Sequence, residues 1–158
     1  MNRPTLYMLI GVPASGKSSW VKRQMFDNQQ TYVASTDDYI ESVASVLNTT
    51  YNEVFTANIN AATKAMNKEV KAAIDLGLDI VWDQTNTTFF SRKRKLQMIP
   101  PSYKKVAVFF PTPDEETLKK RLDSRVGKKI PERFVHLAIV SLEPPDKFEG
   151  FDEIIVVQ

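Results

Sequence analysis

LYMLIGVPASGKS, residues 6–18, contains the two features that decide the fold. The apolar run Leu6–Val12 is typical of a buried central strand in a parallel sheet. It runs into Gly11–Ser18, which matches the phosphate-binding pattern G-x-x-x-x-G-K-[ST]. A helix is predicted from Gly16 to about Asp27. A buried strand, a glycine-containing loop and a helix in this order predict a site for a nucleoside triphosphate.

Each part of this loop has a predicted physical role. Gly11 and Gly16 permit backbone conformations that turn amide N–H groups inward to form an anion nest. Lys17 is expected to reach the β- and γ-phosphates as a point charge, and the Ser18 hydroxyl to ligate Mg²⁺. The sequence therefore predicts ATP and Mg²⁺ as cofactors. The predicted nucleotide-binding residues of the loop are Gly11, Ala14, Ser15, Gly16, Lys17, Ser18 and Ser19.

Strand and helix patterns alternate along the rest of the chain. Further strands are predicted at residues 31–35, 78–82, 105–110 and 153–157, and further helices at residues 51–76, 87–98, 114–124 and 131–142. Gly77 is expected to end the long helix, and Phe134, Leu137 and Ala138 to face the core. The alternation predicts an α/β P-loop NTPase, a doubly wound parallel sheet of about five strands with helices on both faces. We expect residues 1–158 to form a single P-loop kinase domain, with a lid at about 121–131.

The composition excludes several classes of protein. The 158 residues include no cysteine and one histidine, His136, so a disulfide framework and the common zinc clusters are excluded. The apolar run at residues 6–10 is far shorter than the roughly 20 residues that a membrane span needs. We therefore expect a cytoplasmic protein without a membrane partner. The net charge of +2 does not by itself indicate nucleic-acid binding.

Two acidic residues follow predicted strands, at the edge of the sheet where ligands bind in open α/β folds. Asp37 follows the second strand, and Asp83 follows the third. Phosphoryl transfer needs a carboxylate that accepts the proton of the acceptor hydroxyl, so we assign Asp37 as the general base. Asp83 is assigned to Mg²⁺, directly or through its waters. The alternative roles are helix capping, which we expect of Asp38, and turn formation by Asp83.

Two further segments are candidates for the same site. Thr85 and Asn86 are either acceptor contacts or loop formers, and the residues alone do not separate these roles. Arg121 and Arg125 are four residues apart, so they share one face of a predicted helix end ahead of Gly127. This arrangement suits a lid that closes over the triphosphate and neutralises charge in the transition state, which makes both arginines candidate catalytic residues together with Lys17.

In combination, these motifs resemble the polynucleotide 5′-hydroxyl kinase family, the phage-type P-loop kinases. The resemblance rests on GVPASGKSSW, the DDY after the second strand, the D-x-T-N of residues 83–86 and the basic segment 120–131. It implies Asp37 as general base, Arg121 and Arg125 as phosphate clamps, and Ile130 as an apolar contact of the acceptor base. The implied acceptor is the 5′-hydroxyl end of DNA or RNA. Members of that family form oligomers, so a homo-oligomer is implied as well.

One position departs from the family pattern. Phage-type relatives carry an arginine three residues after the catalytic aspartate, where it holds the acceptor's 3′-phosphate, and Ile40 stands at that position here. The clamp is then absent or supplied from elsewhere, with Arg92, Arg94 and Lys129 as candidates. Two alternatives therefore stay open: a kinase acting on a nucleoside, a hydroxymethylated DNA base or another small hydroxyl metabolite, and a nucleotide-binding module without catalytic activity.

Overall fold

Five parallel strands form one sheet in the order β2-β3-β1-β4-β5, and this computed structural model of the chain describes residues 3–125 and 128–158. The strands are β1 Thr5–Ile10, β2 Thr31–Ala34, β3 Asp79–Trp82, β4 Lys104–Phe109 and β5 Glu153–Val156. The helices are α1 Lys17–Gln24, α2 Asp37–Val46, α3 Tyr51–Asp75, α4 Phe89–Leu96, α5 Glu115–Asp123 and α6 Glu132–Ser141, with a short 3₁₀ helix at Lys147–Glu149. The predicted fold class is confirmed.

Strand β1 lies at the centre of the sheet. Leu6 is in register with Ile80 of β3 on one side and with Lys105 of β4 on the other. Because all four pairings are parallel, the carboxyl ends of the strands meet at one edge. The loops that follow β1, β2 and β3 therefore lie next to one another, and they carry the predicted site residues.

The two faces of β1 bury different hydrophobic clusters. Leu6, Met8 and Ile10 contribute to a cluster that includes Val70 of α3, and Leu9 points to the opposite face, where Trp20 of α1 packs. This period of two is the alternation expected of a strand that is covered on both sides. Burial of each large apolar side chain here stabilises the folded state by about 1.5–3 kcal/mol. The structural role predicted for Trp20 and Trp82 is confirmed by their burial.

The helix ends agree with the sequence in one case and differ in another. Gly77 follows α3 with a left-handed φ of +67°, as predicted for a C′ glycine. Asp38 does not cap α2, because the N-cap residue is Thr36 and Asp37 and Asp38 occupy the first turn. Two carboxylates in the first turn still interact favourably with the helix dipole.

The inward face of α6 differs from the prediction. Val135 is the buried residue, whereas Phe134 and Leu137 are 50% and 59% exposed. Ala138 is half-buried, as expected of a residue on the boundary of the core. The apolar residues of this helix exceed what one buried stripe needs, so their spacing did not specify which of them face the core.

Candidate active site

Two adjoining cavities open at the carboxyl edge of the sheet. One, of about 470 Å³, is lined mainly by residues of the loop at 14–19 and by Arg121, Ser124 and Arg125 at and after the end of α5, and we call it the loop cavity. The other, of about 580 Å³, contains Asp37 and Asp83, and we call it the Asp37 cavity. Lys17, Ser18 and Arg125 line both. Both volumes lie within the range of about 300–1,000 Å³ that is usual for ligand sites.

The loop adopts the strained backbone that an anion nest requires. Ala14 and Gly16 have φ values of +64° and +107°, and Gly16 is the N-cap residue of α1. Gly11 has a different role from the one predicted, since its N–H donates to the carbonyl of Thr85 at 3.0 Å and is not available to a ligand. A Cβ on Gly11 would lie 2.9 Å from Cβ of Phe110, so this position needs glycine for space.

Lys17 is held over the loop by the loop's own carbonyl groups. Its Nζ donates to the carbonyl oxygens of Gly11 and Val12 at 2.9 and 2.8 Å. Burial lowers the pKa of Lys17 to about 8, and the nearby carboxylates of Asp83 and Asp37 only partly oppose that effect. A desolvated ammonium group that lacks full charge compensation is a favourable partner for the phosphates of a nucleotide.

Asp37 points into the cavity that Lys17 and Ser18 also line. Its Oδ1 accepts a hydrogen bond from the Tyr51 hydroxyl at 2.8 Å, and its Oδ2 pairs with Nζ of Lys128 at 2.7 Å. The Asp37 side chain remains 41% exposed. Each carboxylate oxygen keeps a second lone pair, so the group can still accept a proton from a bound alcohol.

Asp83 lines the same cavity, and its backbone N–H donates to the carbonyl oxygen of Ala34 at 2.8 Å. Burial raises the pKa of Asp83, and the positive charge of Lys17 opposes that rise. Across residues 3–125 and 128–158, no three acidic, histidine or cysteine side chains form a ready-made metal cage. Ser18 and Asp83 fit Mg²⁺ in the way that nucleotide sites usually do, with few protein ligands and the remainder from phosphates and water.

The two arginines of the predicted lid lie beside the loop cavity. Arg121 donates from Nη1 to the carbonyl of Ala14 at 3.0 Å, and Arg125 lines both cavities. Ser15 and Ser19 line the loop cavity as well, and the Ser15 hydroxyl is buried without a hydrogen-bond partner among residues 3–125 and 128–158. Gly127, which we predicted as part of the lid, lies outside the described residues.

The wall of the Asp37 cavity is largely apolar and aromatic. Ile130 and Thr85, both predicted as acceptor contacts, line it. It also contains residues that the sequence did not assign to a site: Tyr51, Phe55, Ile59, Lys128 and Phe134. Helical spacing alone does not identify Phe55 and Ile59 as cavity-lining residues, because a cavity wall and a core contact produce the same apolar period.

Asn86 is a loop former and lies outside both cavities. It is 2% exposed, it has a left-handed φ of +48°, and its side-chain amide donates to the carbonyl of Leu9 at 2.7 Å. Its side-chain oxygen accepts from Lys95. The structure therefore contradicts the acceptor-contact role and agrees with the alternative role of Asn86 in fixing the loop.

The candidate clamps differ in where they lie. Arg92 is fully buried and pairs with Glu149 through two hydrogen bonds of 2.7 and 3.1 Å, which excludes it as an acceptor clamp. Arg94 is exposed beside the ring of Phe90. Ile40 is 0% exposed in the core, so no ligand reaches that position. Lys129 lines the Asp37 cavity.

The sequence matches the family described as "AAA domain" over residues 6–145, which includes all the site residues above. The chain belongs to the AAA domain family. Within the described residues, this AAA domain contains no helix that is both long and apolar enough to cross a membrane.

The chain is also similar to individual proteins and solved structures. The chain is 24% identical to heterogeneous nuclear ribonucleoprotein U-like protein 2 of Mus musculus over 93% of its length, and it spans 20% of that protein. It is similar to a chain of the Pnkp1/Rnl/Hen1 RNA repair complex (TM-score 0.68, 22% identity, 90% of this chain and 45% of that one). It is also similar to a gluconokinase from Sinorhizobium meliloti 1021 (TM-score 0.54, 16% identity, 99% and 83%). This AAA domain therefore has the fold of P-loop kinases.

Proposed function

We propose that this protein is an ATP-dependent kinase that transfers the γ-phosphoryl group to the 5′-hydroxyl end of DNA or RNA. The observation that carries the proposal is the shared cavity: the Asp37 carboxylate faces the space that Lys17, Ser18 and Asp83 line. A base, a phosphate-binding ammonium group and the predicted metal contacts then surround one volume. This is the arrangement that in-line transfer between a nucleotide and an alcohol requires.

Different residues of the site bind the phosphates, bind the metal ion and accept the proton. The triphosphate lies on the loop, where the N-terminus of α1, Lys17, Arg121 and Arg125 bind its phosphates. Ser18 and Asp83 would hold Mg²⁺, which would supply charge neutralisation of the phosphate oxygens. The acceptor oxygen forms a bond to the γ-phosphorus as the bond to the ADP oxygen breaks, and Asp37 takes the proton of the acceptor hydroxyl.

The acceptor assignment is supported by the walls of the Asp37 cavity. A nucleobase needs flat apolar contacts, and Tyr51, Phe55, Ile130 and Phe134 supply them. Lys128 and Lys129 add positive charge for a polyanion. Similarity to a chain of an RNA repair complex agrees with this assignment.

A second acceptor class has an observation in its favour. Ile40 is buried, so the arginine clamp of phage-type relatives is missing from its usual position, and a gluconokinase shares the fold. A nucleoside, a hydroxymethylated base or another small hydroxyl compound would then receive the phosphoryl group, by the same chemistry at Asp37.

Labelling with γ-³²P-ATP tests the proposal. The wild-type protein is incubated with 5′-OH DNA and RNA oligonucleotides of different end structures, and with nucleosides and small polyols. We expect label on an oligonucleotide end. Label on small acceptors alone would favour the second class, and ATP binding without any transfer would indicate a non-catalytic module.

Asp37→Asn is the matched variant for this assay. It removes the base and preserves the size of the side chain, so we expect kcat to fall about 10²–10⁴-fold with little change in ATP affinity. ATP affinity is measured by isothermal titration calorimetry. Unchanged turnover in this variant would contradict the role of Asp37 as general base.

A further inference from the structure

The Asp37 cavity has more positive than negative side chains. Four cationic and two anionic residues line it: Lys17, Arg125, Lys128, Lys129, Asp37 and Asp83. On the proposed function, Lys17 and Arg125 bind the triphosphate and Asp83 binds the metal. The remaining charged side chains are Asp37, Lys128 and Lys129, of which Asp37 and Lys128 form an ion pair at 2.7 Å.

Lys128 is placed so that it can exchange partners. Its Nζ contacts Oδ2 of Asp37 and lies 4.8 Å from the centroid of the Tyr51 ring, and its side chain is 28% exposed within the cavity. Half-exposed ion pairs are weak, because water and salt screen them. A phosphate group in the cavity would offer Lys128 a stronger, charge-assisted hydrogen bond.

We propose that Lys128 determines acceptor specificity by pairing with Asp37 in the empty cavity and moving to a phosphate group of the acceptor when one binds. This inference rests on the proposed function and narrows its substrate class to hydroxyl acceptors that carry a phosphodiester or phosphate close to the reacting hydroxyl. An uncharged acceptor leaves Lys128 on Asp37, where it occupies the Oδ2 oxygen of the carboxylate. A phosphorylated acceptor frees the carboxylate at the moment when the hydroxyl arrives.

Two isosteric probes separate the charge of the acceptor from its shape. The first is a 5′-OH dinucleotide with one phosphodiester, and the second is the same dinucleoside with an uncharged methylphosphonate linkage. Their dissociation constants are measured by calorimetry on protein saturated with Mg²⁺ and a non-hydrolysable ATP analogue, so that binding is read without turnover. For the wild-type protein we expect the phosphodiester probe to bind at least about 10-fold more tightly than the methylphosphonate probe. This ratio of dissociation constants should become smaller at high salt.

The variants are compared on an Asp37→Asn background, because removing Lys128 alone would leave an unpaired carboxylate that repels the charged probe. Asp37→Asn alone frees Lys128, so the preference for the phosphodiester should increase above that of the wild type. The double variant D37N/K128M should lose the preference, and D37N/K128R should retain most of it. Lys104→Met on the same background is the control, since Lys104 forms a comparable exposed pair with Glu153 at the opposite edge of the sheet.

Each outcome has a defined meaning. A preference that survives in D37N/K128M, or that does not rise in D37N, overturns the role of Lys128 and leaves the kinase proposal intact. If neither probe binds to wild-type protein, while label is transferred to small acceptors, both the nucleic-acid acceptor and this inference are wrong. Equal binding of the two probes to the wild-type protein overturns the inference as well.

Discussion

A single hydrogen bond from Tyr51 fixes the orientation of the Asp37 side chain. Its hydroxyl donates to Oδ1, and burial, followed by the neighbouring Asp37 carboxylate, raises the pKa of Tyr51, so that the group stays a donor at neutral pH. The bond leaves Oδ2 as the oxygen that faces an exchangeable partner. Tyr51 is therefore a positioning residue for the proposed base.

Tyr51→Phe removes this bond and keeps the ring, with its contacts to Phe55 and Lys128. A hydrogen bond to a charged group contributes about 1.5–3 kcal/mol, so we expect kcat to fall about 10-fold or more with an unchanged KM for ATP. Steady-state kinetics measures both parameters. On an Asp37→Asn background the same change should have no further effect on kcat, and an additive loss would contradict a role through Asp37.

The burial of Lys17 predicts a dependence of stability on pH. Its pKa is about 8 in the folded chain against 10.5 as the ordinary value, so between these values the unfolded chain binds more protons. Stability attributable to Lys17 must then rise with pH across this interval, and the cost of its buried charge is fully present below about pH 8. The buried charge of Lys17 in the loop thus destabilises the folded protein.

Lys17→Met tests this at the residue scale. We expect the free energy of unfolding of the wild type, relative to the variant, to increase by about 1–3 kcal/mol between pH 7.5 and pH 10.5, since one pKa unit is worth about 1.4 kcal/mol. Urea unfolding at both pH values measures it, and contributions of other titrating groups cancel in the comparison. A difference that is constant with pH would contradict the lowered pKa. The variant should also fail to bind ATP.

At the scale of elements, a buried ion pair joins α4 to the 3₁₀ helix before β5. Arg92 has no exposed side-chain surface, Glu149 is 12% exposed, and Arg92 also donates to the carbonyl of Asn86 at 2.8 Å. The pair thereby ties the loop after β3, which contains Asp83, to the last connection of the chain. The loop geometry of the site depends on a contact outside it.

Glu149→Gln should be strongly destabilising because it leaves the Arg92 guanidinium buried without a counter-charge. Losing one partner of such a pair costs about 3–5 kcal/mol. Glu153→Gln is the matched control, since it breaks an exposed pair with Lys104, and such pairs contribute at most about 1 kcal/mol. Urea denaturation compares the two variants, and equal losses would contradict the difference in burial.

The sequence predicted the elements better than the contacts between them. The apolar strand followed by Gly11–Ser18 was sufficient for the fold class, because parallel sheets require buried, apolar strands and a loop of this type has few alternative contexts. The proximity of Asp37 and Asp83 could be predicted, because each follows a parallel strand and the carboxyl ends of parallel strands lie at the same edge of the sheet. Tyr51 and Lys128 could not be assigned to Asp37, because they are distant in sequence and their partners depend on how α3 and the segment before α6 pack.

At the scale of the whole molecule, the two cavities share Lys17, Ser18 and Arg125, so occupancy of one bears on the other. In the proposed complex the nucleotide contacts both α1 and α5. It therefore binds the folded chain and not the unfolded one. The kinase activity, the nucleic-acid acceptor and the ATP and Mg²⁺ contacts are proposals, and the homo-oligomer and the cytoplasmic location stay predictions.

Mg²⁺-ATP should therefore stabilise the whole protein. At a concentration 100-fold above its Kd, a ligand of the native state adds about 2.7 kcal/mol, which for a domain of this size raises Tm by about 5–10 °C. Differential scanning fluorimetry measures the shift. Lys17→Met should show none, and an equal shift in that variant would place nucleotide binding elsewhere.

The central position of β1 has a consequence for biosynthesis. Leu6 pairs with Ile80 and Lys105, so β1 leaves the ribosome long before either neighbour exists. Until then its backbone N–H and C=O groups have no native strand to pair with, which is a condition under which nascent chains recruit chaperones. Translation arrested before residue 80 should yield a protease-sensitive chain, and protection should begin only after β4 has emerged from the exit tunnel.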